Sequence, residues 1–403
     1  LINPYDILKC SNGYVAMGIS SDAQWTKFCK AFNVPEWDVE EKYCSNLVRG
    51  YHYFGDLRDK LEDLFSKYTM QEIAAICDEA LIPGTMCSTT KEALQEPQLQ
   101  YLQRRFPQFT FRSYGRLETP PTDELERCEI LFVYGGGNLI PKLKRCRYIH
   151  NMGAGVDGLI PILDKYLGPD FPFTNGRGMY NVTLGEHTLG LLLTCLRGLD
   201  GCARNMGQGR WQTFPVRGEI SGATALVLGA GDIGTHVGKA LKGFGPARII
   251  GYKRTPCDPF GPFDEIITTP QELDQALCAS DYVLVCLPGG PFTKGLLDRR
   301  RLLSVLKEGA GLVNVGRGSI LDTDALVEGL RSGHIAFAAM DVTDPEPLPA
   351  DHPLWSMENV LISPHYAGLF ANLQRHAEWF ATNLEAFLEG KPLPGAVHHD
   401  WLY

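Results

Sequence analysis

The run Ala225-Leu-Val-Leu-Gly-Ala-Gly-Asp-Ile-Gly234 limits what this chain can fold into more than any other stretch. Four apolar residues enter a Gly-x-Gly-x-x-Gly turn, and the pattern Ile233 to Phe244 that follows has helical periodicity. A strand, a tight glycine turn and a helix at this spacing form a phosphate cradle. Gly229 permits the turn, Gly231 lets backbone approach an anion, and Gly234 lets the helix pack on the strand. The helix N-terminus then faces the phosphate. A second apolar strand, Arg248 to Tyr252, comes next, so dinucleotide contacts are expected at Gly229, Gly231, Asp232, Ile233 and Gly234.

After that second strand an acid would hold the ribose diol of NAD, but this chain reads Tyr252-Lys253-Arg254-Thr255. Lys253 and Arg254 attract a 2′-phosphate that an acid would repel. NADP(H) is therefore the preferred cofactor, with NAD(H) possible.

The chain has 403 residues, enough for two or three domains. A formal charge of -9 without a long basic run argues against nucleic acid or an anionic membrane as partner. No apolar stretch is long enough to span a bilayer and Leu1-Ile2-Asn3-Pro4 has no signal-peptide pattern, so the cytoplasm is the default expectation. Its first residue, Leu1, suggests a fragment or a misplaced start. Twelve scattered cysteines, without a CxxC pair, read as reduced thiols, with neither a disulfide framework nor a zinc site. The pair His398-His399 is too isolated for a metal site, so no metal is expected.

Helical patterns fill the first 98 residues, at Asp22 to Phe32, Leu57 to Lys67 and Met70 to Ala80. Strand patterns follow at Phe109 to Ser113, Ile130 to Tyr134 and Tyr148 to Met152, as in a small open α/β sheet. A long helix, Gly185 to Trp211, leads into the fingerprint. Strands at Tyr282 to Leu287, Gly311 to Val315, Ala336 to Met340 and Val360 to Ser363 then alternate with helices. That alternation describes a doubly wound parallel sheet whose strand ends face a crevice.

Three motifs lie at those ends: Val315-Gly-Arg317-Gly, Asp341-Val-Thr-Asp-Pro-Glu346-Pro, and Ser363-Pro-His365-Tyr-Ala-Gly368. Arginine grips a carboxylate with a bidentate fork and polarises a neighbouring carbonyl. Histidine moves a proton near neutral pH, and an adjacent carboxylate stabilises its charged form. Singly, Arg317 reads as a surface ion pair, Glu346 as a loop acid and His365 as a cap or core residue. Together on one nucleotide-binding sheet they suit hydride transfer to a 2-oxo acid.

From about residue 102 to 403 the sequence resembles the D-isomer-specific 2-hydroxyacid dehydrogenases. The resemblance rests on Met152-Gly-Ala-Gly-Val-Asp157, Gly185-Glu-His187, Leu287-Pro288, the three motifs above and Asp344-Pro-Glu346 running on to Trp355. It implies a Rossmann cofactor domain at 185–366 and a smaller flavodoxin-like substrate domain at 99–184 plus 367–403. Arg317, Glu346 and His365 are then catalytic. The Ala154 and Gly155 backbone cradles the substrate carboxylate beside Arg317. Leu287, Pro288, Val315, Asp341 and Gly368 join the cofactor contacts, with Asp341 bonding the nicotinamide amide. His187 reads as a packed helix residue and Trp355 as a pocket wall. The implied reaction reduces a small 2-oxo acid of the glyoxylate/hydroxypyruvate type, in a homodimer joined through the cofactor domains.

Residues 1–98 instead resemble the C-terminal part of family III CoA-transferases, in Asn3-Pro-Tyr5, Ser11-Asn-Gly-Tyr-Val15, Leu81-Ile-Pro-Gly84 and Glu92 to Pro97. The part of that family that carries its catalytic aspartate is missing. The junction near Gln98 to Arg105 also lacks the central strand with which such dehydrogenases open. Each neighbouring backbone group left buried and unpaired would cost on the order of 1–3 kcal/mol. An extended segment near Ile82 to Ser88 is expected to fill the vacancy beside Phe109 to Ser113. Two other readings stay open: a catalytically weak NAD(P)-binding interaction module, and a fusion fragment that partners a CoA-transferase.

Overall fold

A computed structural model describes residues 5–19, 21–45, 48–49, 56–82, 84–86, 97–114, 119–206, 208–368 and 373–399. The chain divides into two compact units, Leu1–Pro121 and Thr122–Tyr403. No helix among the described residues is long and apolar enough to cross a membrane.

In the first unit, β1 (Tyr5–Cys10) turns back into antiparallel β2 (Gly13–Gly18). Helices α1 (Asp22–Ala31), α2 (Glu36–Val39), α3 (Arg58–Phe65), α4 (Met70–Ala80) and α5 (Pro97–Arg105) follow. Ser21 caps α1, and a Thr69/Glu72 capping box starts α4, satisfying N–H groups that a helix leaves open. Their apolar faces meet the sheet around fully buried Leu8, Val15, Trp25, Phe28, Phe65 and Ile73.

Two strand expectations fail. β3 (Gly84–Met86) pairs antiparallel with β2, Val15 opposite Met86, so this part of the Ile82 to Ser88 segment belongs to the first unit's own sheet. Residues 83, 87 and 88 lie outside the described residues. α4 returns the chain to the open edge of β2, and closing that loop costs little entropy. Phe109 to Ser113 forms no strand. A strand exists only through its ladder, and among the described strands none pairs with this segment.

The second unit opens with α6 (Thr122–Arg127) and a parallel sheet in the order β4 (Ile130–Val133), β5 (Tyr148–Asn151), β6 (Phe173–Asn175), with α7 (Ile160–Tyr166) in the last crossover. α8 (Asn181–Arg197) and α9 (Leu199–Met206) stand where one long helix was expected. Gly198, at φ 66°, ends the first of them, and 208–211 are not helical.

A seven-stranded parallel sheet follows, in the order β13-β12-β11-β10-β7-β8-β9. Its strands are β7 (Thr224–Leu228), β8 (Arg248–Tyr252), β9 (Glu265–Ile267), β10 (Tyr282–Val285), β11 (Ala310–Asn314), β12 (Ile335–Met340) and β13 (Val360–Ile362). α10 (Asp232–Lys242), α11 (Pro270–Ala279) and α12 (Thr323–Ser332) occupy crossovers. The central strands are buried on both faces, as a doubly wound sheet requires; each large side chain contributes roughly 1.5–3 kcal/mol. Strand order reverses between β7 and β10, which opens the ligand crevice at their C-terminal ends. Finally α13 (Leu373–Leu388) returns to the small sheet, where Phe380 stacks on Phe132 at 4.6 Å and Phe387 on Tyr148 at 5.0 Å.

Candidate active site

The glycine turn lies at the switch point. Gly229 sits at φ 109°, and a Cβ there would press on the Cys286 carbonyl at 2.9 Å. A Cβ on Gly234 would collide with the Gly229 carbonyl oxygen, whereas one on Gly231 would meet open space. Gly231 is the N-cap of α10 and no side chain caps it, so the first N–H groups of the helix face that space. Asp232 and Ile233 form its first turn. The N–H groups of Gly229 and Ala230 donate to the Tyr252 carbonyl, both at 2.9 Å, which sets Lys253 and Arg254 beside the turn. The cradle suits a pyrophosphate. Lys253 is half-buried, with its ammonium 5.1 Å from the Phe260 ring centre, and Arg254 is exposed.

Arg317 follows β11. Buried Asn314 fixes this corner, taking the Gly316 N–H at 3.0 Å and donating to the Arg317 carbonyl at 2.9 Å. The guanidinium reaches Asp157 through Nε at 3.3 Å and Nη2 at 3.0 Å, while Nη1 donates to the Gly316 carbonyl at 2.8 Å. It packs against Gly155, where any Cβ would strike Nη2. Leu287 and Pro288 follow β10 on the way to this corner, and a Cβ on Gly289 would meet Asp157 at 2.9 Å. Burial raises the Asp157 pKa, but Arg317 outweighs it with help from His365, so the carboxyl lies below its ordinary range. The N–H groups of Ala154 and Gly155 donate to nothing among the described residues. Their loop is held by Asn175 Nδ2 on the Ala154 carbonyl at 2.7 Å and Asn151 Nδ2 on the Gly153 carbonyl at 2.9 Å.

His365 sits at φ 49°, outside the usual range for a histidine, and its Nδ1 meets Glu346 Oε1 at 2.7 Å. Asp341 holds its loop. The Asp341 carbonyl accepts the His365 N–H at 2.7 Å, and its carboxylate accepts Ser363 Oγ at 2.6 Å, Tyr366 N at 3.1 Å and Ala367 N at 3.2 Å. His187 Nε2 lies 3.1 Å from Ser363 Oγ and 3.4 Å from Asp341 Oδ1. Burial raises the Asp341 pKa, yet His187, Ser363 and the two N–H groups overcome it and keep the carboxyl below its usual range. Val315 is buried beneath the corner, and Gly368 packs on the Tyr180 ring.

Residues 189–367 match the family described as D-isomer specific 2-hydroxyacid dehydrogenase, NAD binding domain. The glyoxylate reductase of Aeropyrum pernix is 33% identical over 272 residues, 65% of this chain and 79% of that protein. The chain belongs to the D-isomer specific 2-hydroxyacid dehydrogenases. The human glyoxylate reductase/hydroxypyruvate reductase is 31% identical, over 62% of this chain and 76% of its own length. A solved D-isomer specific 2-hydroxyacid dehydrogenase from Xanthobacter autotrophicus Py2, in complex with NADPH and MES, superposes with TM-score 0.62 and 30% identity, covering 76% of this chain and 95% of that one. The dehydrogenase is thus an NAD(P)-dependent oxidoreductase acting on 2-hydroxy or 2-oxo acids. Its first 106 residues match CoA-transferase family III.

The dehydrogenase brings Arg317, His365 and Glu346 to strand ends of one crevice, with the Ala154–Gly155 loop against Arg317. Sequence reasoning missed the groups that hold them. Asp157 stood in a quoted motif, but nothing in its spacing marked it as the partner of an arginine 160 residues away. Asn151, Asn175, Asn314 and Ser363 are polar residues at strand ends, a signal shared with many turns. His187 proves to be part of the Asp341 network, which makes it more than a packing residue. Arg177, after β6, pairs with Asp232 at 3.2 Å and brings a cation to the helix end where phosphate is expected. Trp355, expected to line the pocket, is about half exposed, with its indole N–H on the Pro349 carbonyl at 2.8 Å. His399 pairs with Asp164 at 2.5 Å.

Proposed function

We propose that this dehydrogenase reduces a small 2-oxo acid of the glyoxylate or hydroxypyruvate type, using NADPH in preference to NADH. The observation that carries the reading is the convergence on one crevice of Arg317, a loop with two undonated N–H groups and a Glu346-anchored histidine. The nicotinamide, when bound, supplies the hydride. Asp157 and the Gly316 carbonyl use one side of the guanidinium, leaving an N–H on each of Nη1 and Nη2 for the substrate's carboxylate and carbonyl oxygens. Ala154 and Gly155 donate to the carboxylate from the other side. With Glu346 accepting the hydrogen bond from Nδ1–H, His365 presents Nε2 to the carbonyl oxygen, where it delivers the one proton that completes the reduction.

Asp341 has a double role in this reading. Its Oδ1 is occupied by Ser363 and Tyr366, but among the described residues Oδ2 accepts only Ala367 N, so a lone pair remains for the nicotinamide amide. Lys253 and Arg254 stand where a 2′-phosphate would be recognised, and the Xanthobacter relative holds NADPH. The assigned domains are 185–366 for cofactor and 99–184 with 367–403 for substrate. We also assign a homodimer, because Leu199, Met206, Trp211 and Val216 are exposed apolar side chains crowded into one segment of the chain.

The test is oxidation of NADPH and NADH by purified protein with glyoxylate, hydroxypyruvate, pyruvate and a bulkier 2-oxo acid. Turnover fastest with NADPH and one of the two smallest hydroxylated or unsubstituted acids is the expected result. A folded protein that binds NADPH and turns over none of them would make it an interaction module instead.

A further inference from the structure

Cys128 and Cys146 are far apart in sequence, yet they meet in the fold. Ile130 is in register with Tyr148 across the β4–β5 ladder, and the Arg147 N–H continues the pairing to the Glu129 carbonyl at 2.8 Å. Cys128 and Cys146 each stand two residues before that register pair, so they hold matching places where the chain enters the two neighbouring strands. Neighbouring strands are about 4.8 Å apart, inside the roughly 4.4–6.8 Å of Cα separation that a disulfide spans. Both side chains are half-buried, and the two thiols are close enough for each to shift the other's pKa. Cys128 Sγ lies 3.2 Å from the Ile130 carbonyl and Cys146 Sγ 3.4 Å from the Tyr148 carbonyl, so each is held near the other by its own strand.

We infer that Cys128 and Cys146 form a redox-active dithiol, a site where a hydroperoxide oxidises the pair to an intramolecular disulfide. The site stands at the N-terminal ends of β4 and β5, whereas the crevice loops leave their C-terminal ends.

The two sulfurs divide the work. The Cys146 thiol beside Cys128 lowers the Cys128 pKa against burial, while the same contact, together with burial, raises that of Cys146. Among the described cysteines with a resolved shift, Cys128 alone moves down; burial pushes Cys29, Cys195 and Cys286 up to about 12. Cys128 is the attacking thiolate. It attacks one peroxide oxygen, the O–O bond breaks, and an alcohol or water leaves as Cys128 becomes a sulfenic acid. Cys146 sulfur then displaces the sulfenic oxygen as water, forming the S–S bond. Two thiols lose two electrons, the peroxide gains them, and both thiol protons end in the water and alcohol released. The bond staples β4, which has a strand partner on one side only among the described residues, to β5.

The experiment treats the full chain with dilute hydrogen peroxide, blocks remaining thiols with iodoacetamide and digests with trypsin without reduction. Cleavage after Arg127, Lys142, Arg145 and Arg147 isolates 128–142 and the dipeptide Cys146-Arg147. The expected result is these two peptides joined, with the loss of two alkylatable thiols per chain. Dimedone should label Cys128 in the C146S variant and leave Cys146 unlabelled in C128S. Recovery of 128–142 in alkylated form while other thiols oxidise, linkage of Cys128 to another cysteine, or dimedone on Cys146 instead would each overturn the proposal. Should either serine variant fail to fold, the wild-type peptide map decides alone.

Discussion

His365 and Glu346 make a pair whose roles separate under mutation. Replacing His365 with Ala removes the proton donor and leaves the glycine cradle untouched, so turnover should fall roughly 100-fold to 10,000-fold while NADPH affinity holds. Steady-state rates beside fluorescence titration of the cofactor check both halves; an unchanged rate would dismiss the histidine as acid. Lys253 and Arg254 address a different atom. Changing both to Ala removes two charge-assisted contacts, each worth about 1.5–3 kcal/mol when fully made, so NADPH should bind at least about 10-fold more weakly and NADH nearly as before. Equal weakening of the two cofactors would refute the 2′-phosphate role.

The turn from β7 to α10 depends on Gly234, because a Cβ there meets a backbone oxygen that cannot rotate away. Gly234→Ala should destabilise the unit by roughly 1–3 kcal/mol, seen as an earlier melting transition together with weaker cofactor binding. This turn was legible in the sequence because its demands are local: a buried strand, glycines at fixed offsets, and an amphipathic helix. The strands that carry Arg317, Glu346 and His365 were legible for the same reason. Long-range choices were not. Phe109 to Ser113 has strand composition but no ladder, and Gly84–Met86 pairs with β2, a choice made by proximity after α4 that no pattern within the segment records. The Arg317–Asp157 pair and the Asp341–Ser363–His187 network join separate elements, so spacing along the chain carried no sign of them.

Protonation of the second unit offers a test of its packing as a body. His150 is fully buried, and burial, aided by the nearby His376, lowers its pKa to about 3. It is neutral when folded, while the unfolded chain takes up a proton below about pH 6.5. Stability is therefore full above that pH and drains as pH falls toward 3, by about 1.4 kcal/mol for each unit. Thermal melts at pH 7, 6 and 5 should show a falling midpoint that His150→Gln flattens. All the assigned site residues lie beyond Pro121, so a chain of residues 122–403 that folds should bind NADPH as the full chain does, by titration; lost binding would tie the first unit to the cofactor. One contact has a use in living cells. A methyl group at position 155 strikes the far end of the Arg317 side chain and no backbone atom, so the guanidinium has to leave Asp157 and the Gly316 carbonyl while the main chain stays in place. An allele encoding Gly155→Ala would thus yield a folded, cofactor-loaded protein blind to its substrate, and a strain carrying it would reveal whether its physiology depends on the chemistry or merely on the protein being there.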